Sequence, residues 1–383
     1  MDEIQSIPRV LLQDFSKTIN FLSKELNIDF ILMSATIPAI KNFLEKDITS
    51  ELLDNKYFSI DFNKKYILKF DKKINNIECL AQRIVENLSK NNSILCVVNT
   101  RKTALSLFEN LKGKLLDKSE TLYLLSANFI TLHREKILKE VSGRLSQKKK
   151  TILISTQIIE TGVDLDFNMG FREFAPLSSI IQSAGRVNRE REKKNAIITV
   201  TNKIGGSPYH EKDVSFEEIS QLLKFDIKSN CILKFLKEYF DVVIKKTSPD
   251  TLLIEKMKNL DFEDVAKIFK ENFMKQLPYI ASVFIESEEG LYKDFVMKRE
   301  SILTDLKKEN ISFEEKMEKK ILLKEINKEI YRYIIQVPEK ETNYFSKIWE
   351  GSEIYYCPHC YIRDEIKYSR KTGWISKEEN NMW

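Results

Sequence analysis

Short apolar runs rich in β-branched residues alternate with amphipathic segments up to about residue 200. This alternation is typical of parallel strands joined by crossover helices. It predicts strands at Phe30–Met33, Ser93–Val98, Thr121–Leu125, Thr151–Ser155, Met169–Phe174 and Ala196–Val200. It predicts helices at Val10–Leu26, Ile77–Leu88, Thr103–Leu111, His133–Ser142 and Ser178–Gly185. The fold class that follows is α/β.

The sequence changes character at "NKIGGSPYH", a Gly-Pro break after which the strand-like runs stop. Beyond the break the chain is charged and mainly helical in pattern. Two helix starts are well signalled there, by Ser248 before Pro249 and by Ser312 with Glu315 in capping-box spacing. We therefore expect a partial α/β lobe at 1–56, a second α/β lobe at 57–205, a helical C-terminal domain at 206–348 and a tail at 349–383.

The overall charge is mildly basic, with 62 Lys and Arg residues against 57 Asp and Glu residues. A net charge of +5 is compatible with a nucleic-acid partner but does not require one. The sequence has no N-terminal signal pattern and no apolar run long enough to cross a bilayer. We expect a cytoplasmic protein with no membrane partner.

Three arginines crowd the stretch "IIQSAGRVNRERE", at Arg186, Arg189 and Arg191, although the chain prefers lysine elsewhere. A guanidinium group offers a rigid planar fork of donors that suits phosphate, whereas lysine offers a mobile point charge. The cluster could equally be the solvated basic end of a helix. Its neighbours in the sequence favour the first interpretation.

Four short motifs occur in order along the α/β part: "DEIQ" at Asp2–Gln5, "SAT" at Ser34–Thr36, "STQIIETGVDLD" at Ser155–Asp166 and "QSAGRVNR" at Gln182–Arg189. Each motif is weak alone, but the ordered set is specific. The set resembles the superfamily 2 helicases, which have two RecA-like lobes with ATP between them. The wording of "DEIQ", "STQIIETGVDLDF" and "QSAGRVNRERE" resembles in particular the CRISPR-associated helicase-nuclease of type I interference systems.

This resemblance covers about residues 1–205 and implies that the α/β part consists of RecA-like parallel-sheet lobes. It also implies an ATP site with Mg²⁺. An Asp-Glu pair at a strand end suits ATP hydrolysis, because one carboxylate can hold Mg²⁺ and the other can orient the attacking water. By resemblance, Asp2 is the nucleotide and magnesium ligand and Glu3 the catalytic carboxylate.

The arginine motif is predicted to complete the nucleotide site. Arg186 and Arg189 lie three residues apart on a predicted helix, so both guanidinium groups can face one cleft and meet the charge on the γ-phosphate. They resemble arginine fingers. Gln182, one helical turn earlier, can hydrogen-bond the nucleotide or its water. The resemblance adds Gly162 and Asp164 to the nucleotide site, although Asp164 could instead cap a turn.

Hydroxyl and amide groups at strand ends are candidates for gripping nucleic-acid phosphates. They are Thr100, Arg101, Ser126, Thr156 and Gln157. Each Ser or Thr could instead cap a helix, which is the commoner role after a strand.

Five further residues have open roles. Ser34 and Thr36 are predicted by resemblance to couple the nucleotide site to the nucleic-acid site. His133 and Arg134 match a family position, or form a surface helix pair. Glu160 could be no more than a helix N-terminal charge.

The tail contains Cys357 and Cys360 in Cys-x-x-Cys spacing, which is half of a zinc knuckle. A complete site would need two further ligands, and only His210 or Cys231 could supply them through the fold. A zinc site is therefore possible but less favoured than a simple thiol pair.

The phosphate-cradling loop G-x-x-x-x-G-K-[ST] does not occur in the sequence. We expect a partner chain or segment to carry that first lobe and a nuclease domain, in a natural split subunit or after truncation. By resemblance, the substrate is single-stranded DNA delivered by a guide-RNA surveillance complex. The alternatives are a non-catalytic nucleic-acid-binding accessory protein and an RNA helicase of the same superfamily.

We predict that the isolated chain does not hydrolyse ATP measurably, because arginine fingers and a water-positioning carboxylate cannot replace the loop that holds the β- and γ-phosphates. A steady-state ATPase assay with single-stranded DNA measures this. Turnover that disappears in Arg189→Ala would contradict the prediction.

Overall fold

The computed structural model describes residues 4, 7, 11–33, 44–45, 49–50, 52, 66–115, 121–160, 162–190, 196–206, 226–228, 231–246, 251–273, 280–308 and 311–376. The chain divides into two compact units. The first unit comprises Met1–Asn99 and Ile159–Gln276, and the second comprises Thr100–Ile158 and Leu277–Trp383. These units interleave along the chain, whereas the sequence suggested four consecutive ranges.

The described helices are α1 Leu12–Leu26, α2 Ile77–Leu88, α3 Arg101–Lys114, α4 Thr131–Ser146, α5 Leu177–Ala184, α6 Ile232–Lys246, α7 Thr251–Lys258, α8 Phe262–Phe273, α9 Leu291–Leu306, α10 Phe313–Tyr331 and α11 Cys360–Arg363. The described strands are β1 Tyr66–Asp71, β2 Ser93–Val97, β3 Leu122–Leu125, β4 Thr151–Ser155, β5 Met169–Arg172, β6 Ala196–Thr201, β7 Ile227–Lys228, β8 Ile280–Ile285, β9 Ile334–Pro338, β10 Tyr355–Cys357, β11 Tyr368–Ser369 and β12 Gly373–Trp374. Two short 3₁₀ turns lie at Gln157–Ile159 and Glu339–Thr342.

Five strands form the sheet of the first unit, in the order β2-β5-β6-β1-β7. All pairs are parallel except β1 with β7. Every residue of β2 and β5 is buried, because both faces of a parallel sheet are covered by its crossover connections. The register pairs Val97 with Arg172, so β2 and β5 end side by side. This edge carries the candidate site.

The second unit contains the parallel pair β3–β4, against which α3 and α4 pack. It also contains a three-stranded sheet in the order β10-β8-β9 and the small antiparallel pair β11–β12. One apolar core joins the three-stranded sheet to the β11–β12 pair. It includes Phe284, Ile335, Cys357, Tyr368 and Trp374. Strands β8 and β9 lie within the range predicted to be mainly helical, so that range also contributes a sheet.

The α/β class is confirmed, and most elements of the α/β part agree with the predicted ones to within a few residues. The capping box of Ser312 and Glu315 is also present at the start of α10. Ser248 and Pro249 lie outside the described residues. Strand β1 was not predicted, because its second half is only partly buried and Lys69 interrupts its apolar run.

The strand predicted at Phe30–Met33 is wrong. These residues have no regular secondary structure, and Ile31 and Met33 are 59% and 50% exposed. A strand is stable only when its backbone groups pair with neighbouring strands, so an apolar β-branched run is not sufficient by itself. No helix in the described ranges is both long and apolar enough to span a membrane.

The β11–β12 pair is fastened to the start of α4 within the second unit. The Trp374 amide donates to the Asn128 carbonyl at 2.9 Å, and the Ile130 amide donates to the Tyr368 hydroxyl at 3.1 Å. Gly373 has a φ of +77°, and a Cβ there would lie 2.5 Å from the Asn128 oxygen. His133 Nδ1 lies 2.8 Å from the same Tyr368 hydroxyl. The prediction of a surface helix pair is therefore wrong for His133, which is buried.

We predict that acidification destabilises the chain through His133. Burial lowers the pKa of His133 from 6.5 to about 4, with Arg370 and Lys136 acting in the same direction. The neutral imidazole therefore contributes stability that is present above pH 6.5 and is lost as the pH falls toward 4. Urea unfolding between these pH values should give a flatter pH dependence for His133→Gln than for the native chain. Equal slopes would contradict the assignment.

Candidate functional site

The arginine motif begins in helix α5 but leaves it before the arginines. The helix ends at Ala184, and Arg186 and Arg189 lie in the following turn. Their predicted position on one helix face is therefore wrong. The physical reason is that Phe167 pairs with Val187 in a parallel bridge, which uses the backbone groups that a longer helix would need. Phe167 N donates to Arg186 O at 3.0 Å, and Asn188 N donates to Phe167 O at 2.8 Å.

Both arginine side chains nevertheless contact the "IETGVD" motif. Arg186 donates from Nε to the Ile159 carbonyl at 3.2 Å and from a terminal nitrogen to the Glu160 carbonyl at 2.7 Å. Arg189, which is 44% exposed, forms an ion pair of 3.2 Å with Asp164. The structure thus brings together two motifs that are more than 20 residues apart in the sequence.

The backbone around Arg189 is fixed by Asp166. One carboxylate oxygen of Asp166 accepts from the Arg189 amide at 2.8 Å, and the other accepts from the Glu190 amide at 3.0 Å. Gly162 has a φ of +68°, which favours glycine, and nothing lies within 4 Å of a Cβ built there. The segment before Asp164 therefore leaves open space beside its backbone. Gln182 lies in α5 and is half-buried.

Glu160 is not merely a helix N-terminal charge, because its carboxylate is buried in a hydrogen-bond network. The Ser179 hydroxyl donates to it at 2.7 Å, and the Ser183 hydroxyl donates at 3.0 Å. The guanidinium of Arg172 lies 3.3 Å away. Burial raises the pKa of Glu160, whereas the charge of Arg172 and the serine hydroxyls act in the opposite direction.

Arg172 is the centre of this network and is fully buried at the end of β5. One terminal nitrogen donates to the Asn99 side-chain oxygen at 2.7 Å and to the Glu173 carbonyl at 3.0 Å. The other terminal nitrogen donates to the Ser179 hydroxyl at 2.7 Å. The sequence analysis did not identify Arg172, although a charged pair at the end of the apolar strand "MGF" was a usable signal.

Glu173 extends the network along the same edge. Its carboxylate accepts from the backbone amide of Asn99 at 2.7 Å, from Ile204 at 2.9 Å and from Gly205 at 3.1 Å. A buried carboxylate with three amide donors holds these chain segments together, because each bond satisfies a group that could not reach water. Glu173 was also not identified from the sequence.

In the second unit, most predicted nucleic-acid residues use their side chains internally. Thr100 caps α3 by accepting from the Thr103 amide at 3.1 Å, which agrees with the alternative of a helix cap. Ser126 accepts from the Asn128 amide at 3.3 Å. Thr100, Ser126 and Thr156 are all buried. The hydroxyl groups of Thr100 and Ser126 therefore organise the local backbone.

Strands β3 and β4 end side by side, since Leu125 pairs with Ser155 and the Thr156 amide donates to the Leu125 carbonyl. Gln157 follows directly and is half-buried. Arg101, at the start of α3, donates to the Asn128 side chain at 2.8 Å. Burial lowers the pKa of Arg101, which Glu341 opposes.

Four predicted site residues cannot be placed. Asp2, Glu3, Ser34 and Thr36 lie outside the described residues. Their assignment to magnesium binding, catalysis and coupling stays a prediction.

The described residues contain no group of three or more His, Cys, Asp or Glu side chains that could hold a metal ion. Cys357 is buried, which raises the pKa of its thiol to about 12, and Cys360 is exposed. His210 lies outside the described residues, and Cys231 is exposed in the first unit. The zinc site therefore stays a prediction.

Comparison with known proteins gives a consistent result. Residues 90–192 match the family described as CRISPR-associated nuclease/helicase Cas3, C-terminal. A CRISPR-associated nuclease/helicase Cas3 from Methanothermobacter thermautotrophicus is 23% identical over 385 residues, covering 91% of this chain and 45% of that protein. The chain thus spans about half the length of this curated relative.

The solved structures that match have the same fold. The crystal structure of T. fusca Cas3 with AMPPNP has a TM-score of 0.60 at 12% identity, covering 93% of this chain and 50% of that chain. A chain in a CRISPR RNA-guided surveillance complex, in a pre-nicking state, has a TM-score of 0.56 at 14% identity, covering 93% and 53%. The family match thus covers residues 90–192, and the chain as a whole is similar in sequence to a Cas3 protein and in fold to solved Cas3 structures.

Proposed function

We propose that the chain is the C-terminal part of an ATP-dependent single-stranded DNA translocase of CRISPR interference, acting in the cytoplasm. Its motor would move target DNA toward a nuclease domain carried elsewhere. One observation carries the proposal: Arg186 and Arg189 both contact the segment between Ile159 and Asp164. Two helicase motifs therefore form one local structure, and both lie within the matched family region.

The nucleotide would be held by residues of the first unit together with a partner lobe. Bound ATP supplies the phosphoryl group whose hydrolysis drives movement. The open space beside Gly162 fits the close approach of a phosphate or ribose to the backbone. Arg189 is partly exposed, and its contact with Asp164 is an exposed ion pair, for which a nucleotide phosphate would compete. Mg²⁺ would be held by Asp2, with the partner lobe supplying the phosphate loop.

DNA would lie across the carboxyl ends of β3 and β4 in the second unit. We assign phosphate contacts to Gln157, which directly follows β4, and to backbone amides at these strand ends. Thr100 and Ser126 use their hydroxyl groups internally, and Thr156 is buried. Such contacts position a strand without reading its bases. They suit an enzyme that moves along any sequence.

The expected partners are a guide-RNA surveillance complex and the polypeptide that carries the first lobe and the nuclease. The fold shared with a chain of an RNA-guided surveillance complex supports the first partner. The length of the relatives, about twice that of this chain, supports the second.

We predict that Gln157→Glu weakens binding of a fluorescent single-stranded oligonucleotide by about five- to tenfold, since a carboxylate near phosphate repels it. Fluorescence anisotropy at several salt concentrations measures both affinity and salt slope. Gln147→Glu is the matched control, because Gln147 ends α4 just before β4 begins, at the opposite edge of the same unit. The control should bind like the native chain.

Equal loss in both variants, or binding without salt dependence, would contradict this placement of DNA. Competition with an RNA oligonucleotide separates the DNA translocase from an RNA helicase. Preferential displacement by RNA would overturn the choice of DNA. Addition of the first-lobe polypeptide should confer ATP hydrolysis that single-stranded DNA stimulates, whereas a non-catalytic accessory protein would stay inactive.

A further inference from the structure

The proposed nucleotide and nucleic-acid sites give no role to the buried ion pair of Arg172 and Glu160. Both groups lie inside the first unit, with side chains 0% and 7% exposed. Isolated charges in this environment would be strongly destabilising. A pair of well-packed apolar side chains would often be as stable, so the pair invites a specific explanation.

We propose that Glu160, held by Arg172, is a positioning residue that fixes the guanidinium of Arg186. This inference rests on the proposed function, in which the segment that Arg186 contacts forms part of the nucleotide site. Glu160 contacts Arg186 by its main chain. It acts through its own backbone, whose carbonyl accepts one of the hydrogen bonds of Arg186.

The Glu160 carboxylate is anchored to two elements of the first unit. The Glu160 side chain is tied to helix α5 at two positions, one turn apart, by the hydroxyls of Ser179 and Ser183. Arg172 ties the same carboxylate to the end of β5. These three contacts, two from α5 and one from β5, hold the carboxylate in one position. The backbone of Glu160 is therefore fixed relative to α5.

Arg186 contacts the backbone of the segment that contains Glu160. Its guanidinium reaches back from the turn after α5 and donates to the carbonyls of Ile159 and Glu160. Arg186 and Glu160 are thus both tied to the same helix. Arg186 follows α5 in the chain, and the side chain of Glu160 is hydrogen-bonded to α5. The closed loop of contacts orients Arg186 and leaves little freedom for its side chain.

Arg172 also connects this network to Asn99, which follows β2. Arg172 also donates to the side chain of Asn99, and Asn99 donates from its side chain to the Phe174 carbonyl at 2.8 Å. Asn99 directly precedes Thr100, the first of the predicted nucleic-acid residues. The same buried guanidinium thus contacts the strand end that leads toward that position.

The test is arginine-selective labelling of the 383-residue chain with phenylglyoxal, with the rate at each arginine read by peptide mass spectrometry. In the native chain, Arg186 should react more slowly than Arg189. Glu160→Ala should raise the rate at Arg186 by about tenfold, because the backbone carbonyls that hold Arg186 remain but the side-chain contacts that fix their position are lost. Ser183→Ala removes only one hydroxyl donor and leaves both charges, so it should fold even where Glu160→Ala does not. It should raise the same rate less.

Asn76→Ala is the control for general destabilisation. Asn76 caps α2 of the same unit by accepting from the Cys79 amide at 2.8 Å. Its loss should lower the melting temperature without changing the rate at Arg186 relative to that at Arg83, an exposed arginine of α2. The proposal is overturned if Ser183→Ala and Asn76→Ala give the same relative rate at Arg186. Labelling needs neither nucleotide nor DNA, so failure of the proposed function would be seen separately, as absent DNA binding.

Discussion

The fully buried guanidinium of Arg172 is the constraint on which the first unit depends. A guanidinium group remains charged at all physiological pH values, so its burial is possible only when acceptors surround it. The acceptors come from the end of β2, the end of β5, helix α5 and the segment before Gly162. One side chain therefore requires four chain segments to converge. This convergence also brings the two helicase motifs together.

In the second unit, short polar side chains satisfy backbone groups at the ends of helices and strands. Thr100 and Ser126 satisfy backbone amides at the start of α3 and after β3, where helix and strand ends would otherwise be left with unpaired groups. The β11–β12 pair then packs on the loop at Asn128, where a side chain at position 373 would collide with backbone. Polar residues at strand ends thus have a structural role before any contact with nucleic acid.

Local pattern and long-range contact differ in how far the sequence predicts them. Strand β4 was predicted with its observed bounds and α5 within one residue, because burial on a parallel sheet imposes the same apolar periodicity on the sequence. The contacts of Arg172 with Asn99 and Glu160 were not predicted. They join residues that are 73 and 12 positions apart, and no period in the sequence encodes such a pairing.

The turn after α5 illustrates why the geometry of the arginine motif could not be derived from its spacing in the sequence. Spacing of three residues is compatible with a helix face, and it is equally compatible with a turn whose backbone pairs elsewhere. The bridge between Phe167 and Val187 decides between them, and only the tertiary structure contains it. In the turn, Arg186 and Arg189 point at different parts of one segment, the former at carbonyls and the latter at Asp164. The two arginines therefore have unequal environments, the first fixed and the second partly exposed.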